Sequence, residues 1–331
     1  MFNRFILPGL IIASLLLQAC ATAPKEINTQ RIDSNHYQLS KHYQLPKTYQ
    51  EHRDQQQLFT SDDGLQMAYT DHGAGETLVL IHGVPTSSWM YRKMIPTLQE
   101  KYRVITVDLI GYGSSDKPSQ SIHYQHTAQA KRISQLMDSL KIENYSLLFH
   151  DMGGLVAWNL LAENLASIDN LIVLNTIVRK EGFIHPKFNN KFITRIMTDA
   201  FSNQFTSAVT LRKTFSNMGL GSHALTEKEC RGYVIPMQEG SNHALFNFYT
   251  DLNDNLYEKL EQNQFLFERF NGNTLVLWGE KDQVLTTQQI PFLQTHLNIP
   301  NKNIHIFSDN AHFLAEEIPD RLNQKINQFL N

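Results

Sequence analysis

The stretch Ser146-Leu147-Leu148-Phe149-His150-Asp151-Met152-Gly153-Gly154 is an apolar run of strand length that ends in a carboxylate and two glycines. It reads as a buried strand that delivers Asp151 to a tight strand-to-helix turn, with Gly153 and Gly154 small enough for the following helix to pack close. Similar runs recur at Leu78 to Ile81, Val104 to Val107, Leu171 to Leu174, Leu275 to Trp278 and Ile304 to Phe307. Upstream, Leu58 to Thr60 and Leu65 to Thr70 flank Asp62-Asp63-Gly64, a hairpin signal. Ile133, Leu136, Met137 and Leu140 form one helical stripe, and Leu322, Ile326, Phe329 and Leu330 form another. Short apolar runs alternating with helical patterns predict an α/β fold with a mostly parallel sheet flanked by helices.

The strand spacing breaks once, in the long gap between Leu174 and Leu275, which holds helical patterns and no convincing strand. This predicts an inserted helical cap over residues 179–261, dividing a core made of residues 58–178 and 262–331. Its most apolar helix would carry Phe192, Ile193, Ile196, Met197, Ala200 and Phe201, facing either the core or a substrate cavity.

Composition sets the outer bounds. With 331 residues, 41% hydrophobic, 18% charged and a net charge of -3, the chain falls outside the disordered, collagenous and multispan membrane classes, and a basic nucleic-acid binder is disfavoured. Two cysteines exclude a disulfide framework, and Cys230 reads as a small buried hydrophobe.

At the N-terminus, Arg4 precedes an apolar stretch from Phe5 to Leu17, interrupted by Pro8 and Gly9 and too short for a membrane span of ~20 residues. It ends in Leu17-Gln18-Ala19-Cys20, which resembles the lipobox of bacterial lipoproteins. The resemblance implies a signal peptide over residues 1–19 and lipid on Cys20. With Ala21 next, it implies a lipid-anchored protein of the bacterial envelope, on the outer membrane and facing the periplasm. Residues 20–57 are rich in Gln, Asn, His, Lys and Tyr without an apolar period, and are expected to form a polar, flexible tether.

Ligands of open parallel sheets bind beyond the carboxyl ends of the strands. Four such ends carry chemistry here: His82-Gly83-Val84-Pro85-Thr86, His150-Asp151-Met152-Gly153-Gly154, Gly279-Glu280-Lys281-Asp282, and Ser308-Asp309-Asn310-Ala311-His312-Phe313. Together they resemble the α/β-hydrolase superfamily, whose nucleophile, acid and histidine follow in that chain order. No GxSxG occurs, which disfavours a serine esterase or lipase, and Asp151 stands at the turn where that serine would sit. A carboxylate is already anionic and can attack an sp³ carbon to give an ester. His312, oriented by Asp282, would activate the water that cleaves it, and the backbone N–H groups of Val84 and Met152 would form the oxyanion hole. Asn175 and Glu181 are rival positions for the acid, and taken alone Asp151 could simply cap a helix.

Over residues 58–330 the pattern resembles the haloalkane dehalogenase and epoxide hydrolase branch. The segments from His82 to Pro96 and from Asp108 to Pro118 look very like haloalkane dehalogenases, and Ala311-His312-Phe313-Leu314-Ala315-Glu316-Glu317 resembles the family's histidine loop. Dehalogenases usually place a Trp after the nucleophile and an Asn or Glu after His-Gly to grip the halide, whereas this chain has Met152 and Val84. Two missing hydrogen bonds to a charged group amount to about 3–6 kcal/mol. Epoxide hydrolases instead use phenols of the cap to polarise the ring oxygen. Phe246-Asn247-Phe248-Tyr249 resembles the segment that carries one, making Tyr249 a candidate substrate-binding residue and Tyr233 a second. Trp89 and the Tyr91-Arg92 pair are expected to pack beneath the first loop, Trp89 being also a candidate substrate-binding residue, while His82 reads as a structural loop residue.

No GxGxxG, Walker sequence or clustered Cys/His set is present, so neither cofactor nor metal is expected. The favoured function is epoxide-hydrolase-like hydrolysis of a small apolar organic substrate, with haloalkane dehalogenation as the alternative and another hydrolysis, including that of esters, left open. A catalytically idle envelope lipoprotein that binds lipid or a partner in the capped pocket is a rival from a different class; the complete Asp151, Asp282 and His312 set argues against it.

Overall fold

The computed structural model describes residues 42–183, 191–217, 225–247 and 265–331, with the backbone alone for residues 191–194. Eight strands form one sheet: β1 (Gln57–Thr60), β2 (Gln66–His72), β3 (Thr77–Ile81), β4 (Arg103–Val107), β5 (Tyr145–Asp151), β6 (Ile168–Thr176), β7 (Asn273–Gly279) and β8 (Ile304–Phe307). Their order is β1-β2-β4-β3-β5-β6-β7-β8. The β1/β2 and β2/β4 pairs are antiparallel and all others parallel, with Ile81 beside Phe149 and Leu148 beside Ile172. This is the α/β architecture expected from the alternating runs, and the Asp62-Asp63-Gly64 signal is the β1–β2 hairpin turn, with Gly64 at φ +80°.

β5 is buried along its whole length, as its near-continuous apolar sequence requires of a central parallel strand. The helix that follows, Gly153–Glu163, starts on the glycine pair. A Cβ at Gly153 would lie 2.7 Å from the Ile81 and His82 carbonyl oxygens, and one at Gly154 would overlap the Thr176 hydroxyl. The two glycines therefore bring the helix start down between β3 and β6, which sets the turn carrying Asp151. The helices His126–Ser139 and Gly153–Glu163 pack together, and the C-terminal helix Pro319–Leu330 buries Leu322 and Ile326 against the core.

The insertion between β6 and β7 is helical among the described residues, with Lys191–Ser202, Ala208–Asn217 and Glu227–Pro236 running on into a wide turn over Met237–Ser241. Thr226 and Glu229 form a reciprocal capping box at the start of the third of these helices. The helix expected to be most apolar departs from expectation: Ile196 and Met197 are exposed, whereas the polar Thr198 and Ser202 are buried.

The expected tether is corrected at its C-terminal end. Residues 42–56 are folded onto the domain, with a helix over Tyr49–Arg53 capped by Thr48 and with Tyr43, Tyr49, His52 and Gln56 buried. Tyr43, His52 and Gln56 are buried through hydrogen bonds and Tyr49 through its ring against His52 and Trp89, which leaves no hydrophobic period. Cys20 and the rest of residues 1–41 lie outside the described residues. No helix among the described residues is long and apolar enough to cross a membrane.

Candidate active site

Asp151 ends β5 with φ +51°, in the left-handed region that non-glycine residues seldom adopt. The sharp turn lifts its side chain beyond the sheet edge, against the loop that leaves β3. Gly83 makes room for it, since a Cβ there would lie 2.5 Å from Asp151 Oδ1. The Val84 N–H donates to Oδ1 at 2.8 Å, and the Met152 N–H also bonds the carboxylate. Both expected oxyanion donors are thus aimed at the carboxylate, and Asp151 Oδ2 lies 3.7 Å from His312 Nε2.

His312 is fully buried on the loop after β8, and its Nδ1 pairs with Asp282 Oδ2 at 2.8 Å. Its Nε2 has no hydrogen-bond partner among the described residues and faces Asp151 Oδ2. Asp282, on the loop after β7, also accepts the Val284 and Leu285 N–H groups at 2.8 and 2.9 Å on Oδ1. Burial works against its charge, but His312 and these N–H groups hold its carboxyl below the usual value. Burial likewise opposes the charged form of His312, yet Asp282, its hydrogen bond and Asp151 outweigh that and raise the histidine. Burial raises the Asp151 carboxyl, against the opposing pull of His312 and the Val84 and Met152 N–H groups. The three environments therefore give a more basic Asp151 carboxylate, a more basic His312 and an Asp282 that stays ionised.

The alpha/beta hydrolase fold family matches residues 76–319. The chain belongs to that family. Among curated proteins, the α/β-hydrolase described here is 27% identical over 287 residues to a cis-3-alkyl-4-alkyloxetan-2-one decarboxylase of Shewanella oneidensis, covering 82% of this chain and 87% of the relative. It is 27% identical over 295 residues to epoxide hydrolase 4 of Mus musculus, covering 81% and 77%. Over a shorter stretch of 119 residues it is 37% identical to a haloalkane dehalogenase of Mycobacterium marinum, covering 35% and 40%.

Two side chains shape this α/β-hydrolase site through contacts that the sequence does not show. Asn175, at the end of β6, donates to Asp282 Oδ2 at 2.6 Å and accepts the Gly279 N–H at 2.9 Å, so the rival acid position supports the acid that is present. Glu181 is exposed and pairs with Arg179. His150 meets the His312 carbonyl oxygen at 2.7 Å through Nε2. Burial, with the neighbouring His312, lowers it to about 3, so it is neutral and donates that bond. Its place directly before Asp151 is visible in the sequence, but the contact to a residue so distant in the chain is not.

Other candidates take different roles. Trp89 is fully buried and its indole N–H donates to the Glu229 backbone oxygen at 3.0 Å, while Arg92 lies over its ring at 4.3 Å. It joins the helical insertion to the core, which corrects the expectation that it binds substrate. Tyr91 packs beneath the loop as expected, its hydroxyl donating to the Ile81 carbonyl at 2.8 Å. Tyr233 donates its phenol to buried Glu316, which Arg92 and Lys93 also bond, so that hydroxyl is committed to an ion cluster instead of facing a substrate. Tyr249 lies outside the described residues. His82 is structural, accepting the Leu109 N–H and donating to the Gly83 carbonyl. Beside the Val84 and Met152 N–H groups lies a mostly apolar recess bounded by Val84, Met152, Leu109, Tyr112, Tyr124 and Ala244, the last contributed by the insertion. Among the described residues there is no group of His, Cys, Asp and Glu side chains that could hold a metal ion.

Proposed function

We propose that the protein is a hydrolase that acts on an sp³ carbon of a small apolar substrate through an ester on Asp151, with epoxide-hydrolase-like chemistry. The observation that carries this reading is the division of labour between the two oxygens of Asp151. Oδ1 is held by the Val84 N–H, whereas Oδ2 faces His312 Nε2 across 3.7 Å. Oδ2, the oxygen on the His312 side, is the atom that would bond carbon. In epoxide opening it forms the new C–O bond, the ring C–O bond breaks, and the ring oxygen takes a proton, for which Tyr249 is the candidate donor. Water then adds to Cγ and gives one proton to His312; the ester C–O bond breaks, His312 passes that proton to the leaving alcohol to release a diol, and the proton left on the new Asp151 carboxyl returns to the phenolate, restoring Asp151 and the donor.

The leaving group favours a strained oxygen ring over a halide. Met152 and Val84 offer no side-chain hydrogen bond to a departing halide, whereas ring strain drives the breaking of an epoxide C–O bond. Two of the relatives support this choice, since the substrate classes in their names, an epoxide and an oxetan-2-one, are both strained oxygen heterocycles. We also propose that Cys20 carries lipid and places the enzyme on the periplasmic face of the outer membrane; a Cys20→Ser chain should then leave the membrane fraction.

The reading is tested by intact-mass spectrometry of His312→Gln incubated with styrene oxide or bromobutane. With the base removed, the ester should accumulate. An adduct on Asp151 equal to the whole epoxide supports the proposal, and an adduct from bromobutane alone replaces it with dehalogenation. A folded protein that forms no adduct with either would sink the covalent mechanism and favour an idle binding protein.

A further inference from the structure

The segment 42–56 converges on the loop that carries the oxyanion donor. From Val84 the chain runs into a short helix over Ser88–Tyr91, and Ser88 is tied in two ways. Its N–H donates to Asp108 Oδ1 at 2.8 Å, and its hydroxyl meets His52 Nε2 at 2.9 Å and accepts from Gln56 Nε2 at 3.2 Å. Gln56 Nε2 also donates to Asp108 Oδ2 at 2.7 Å, while its Oε1 accepts the Ser114 hydroxyl at 2.6 Å. The other ring nitrogen of His52 meets the Tyr43 hydroxyl at 2.9 Å. Asp108 is fully buried and is held by neutral donors, the Ser88 and Ser114 N–H groups and the Gln56 amide. A buried carboxylate held in this way is sensitive to the loss of any one donor. The same segment grips the insertion, since Arg53 pairs with Glu239.

We propose that residues 42–56 are a positioning strap for the oxyanion hole: Gln56 and His52 fix Ser88 and Asp108, and through them the loop that aims the Val84 N–H at Asp151 Oδ1. This rests on the Asp151 ester reading. The strap acts unequally on the two steps. During alkylation Oδ2 bonds carbon, and Oδ1 loses charge as it becomes the ester carbonyl. During hydrolysis water adds to Cγ, its proton passes to His312, and full negative charge returns to Oδ1 before the alcohol leaves with that proton. The Val84 N–H matters most in the second step, where charge develops on the atom it bonds. A chain with a loosened strap alkylates normally and hydrolyses slowly.

The test uses the full chain as Gln56→Leu and as His52→Phe, each with His312 intact and with His312→Gln, and styrene oxide as the probe. In the His312→Gln background the adduct should form within about twofold of the parent rate. With His312 intact, ester hydrolysis should slow by about tenfold, a fraction of the loss when an oxyanion donor is removed outright, so that ester becomes visible during turnover. Equal slowing of both steps, or no change in either, overturns the strap. Amide exchange supplies a readout that needs no turnover: peptides over residues 82–92 should lose about tenfold in protection while those over β5 and β7 keep theirs. Unchanged protection of 82–92 in both variants overturns the inference whatever the chemistry. If the parent forms no ester, the Asp151 reading falls, and the exchange measurement alone decides the strap.

Discussion

Asn175 donates to Oδ2 of Asp282 at 2.6 Å, and the same oxygen holds His312 Nδ1 at 2.8 Å. One carboxylate oxygen thus ties His312 to a side chain from the neighbouring strand, while the other oxygen accepts from two backbone N–H groups. The orientation of His312 is set by a carboxylate that cannot rotate without breaking several bonds at once.

Replacing Asn175 with Leu removes one of these donors and leaves the Gly279 N–H without its acceptor. A lost hydrogen bond to a charged group is worth about 1.5–3 kcal/mol, part of which would appear as a less sharply held His312. Ester hydrolysis is expected to slow by about tenfold, near 1.4 kcal/mol of barrier. Single-turnover kinetics of a preformed Asp151 ester measure this directly, and a rate equal to that of the parent would show that Asn175 is dispensable for the base.

The pH dependence of hydrolysis follows from the raised pKa of His312. The base must be neutral to take a proton from water, so the rate should fall as pH drops through that raised value, above the ordinary histidine range. Asp282 is the largest influence that raises it, overcoming burial. Asp282→Asn should therefore move the acid limb to lower pH while reducing the plateau rate, since the base becomes weaker and less well oriented. An acid limb that stays in place in Asp282→Asn would assign the titration to a group other than His312.

The turn of Asp151 is legible in the sequence because everything that builds it is local: an apolar strand, one carboxylate and two glycines whose missing side chains clear β3 and β6. The histidine and its acid are legible because each follows a recognisable strand. What the pattern of residues conceals depends on contacts between distant segments. Trp89 and Tyr233 have the look of substrate contacts in the sequence, and only the fold commits their polar atoms to Glu229 and Glu316. The strap at 42–56 is hidden for a different reason. Tyr43, His52 and Gln56 are buried through hydrogen bonds, so the stretch keeps the composition of a solvated linker.

Gly154→Ala tests the packing that shapes the turn. Its Cβ would overlap the Thr176 hydroxyl, which itself donates to the Asp151 carbonyl at 2.6 Å. Overpacking a rigid site costs about 1–3 kcal/mol. Thermal unfolding should show a lowered Tm in Gly154→Ala, and the pair Gly154→Ala with Thr176→Ala should recover part of the loss by removing the hydroxyl. Failure of the second change to recover any stability would place the strain elsewhere in the turn.

The ion cluster around Glu316 makes the last prediction. Glu316 is fully buried, pairs with Arg92, lies 2.9 Å from Lys93 Nζ, and accepts the Tyr233 phenol from the helical insertion. Burial penalises its charge, but Arg92 and Lys93 overcome this and keep its carboxyl below the usual value. Glu316→Leu would remove the shared acceptor and leave buried Arg92 with part-exposed Glu229, at 2.9 Å, as its remaining carboxylate partner. Breaking a buried pair from one side costs about 3–5 kcal/mol, because the partner charge stays buried. Chemical denaturation should register a loss of that size in Glu316→Leu. Replacing Tyr233 with Phe removes one hydrogen bond to a charged group and should cost about 1.5–3 kcal/mol. Because Glu316 lies four residues beyond His312, and Tyr233 belongs to the insertion, the two variants also separate support of the histidine loop from attachment of the insertion. Glu316→Leu should slow ester hydrolysis, whereas Tyr233→Phe should leave it close to the parent rate; slowing in Tyr233→Phe alone would restore that phenol as a substrate contact.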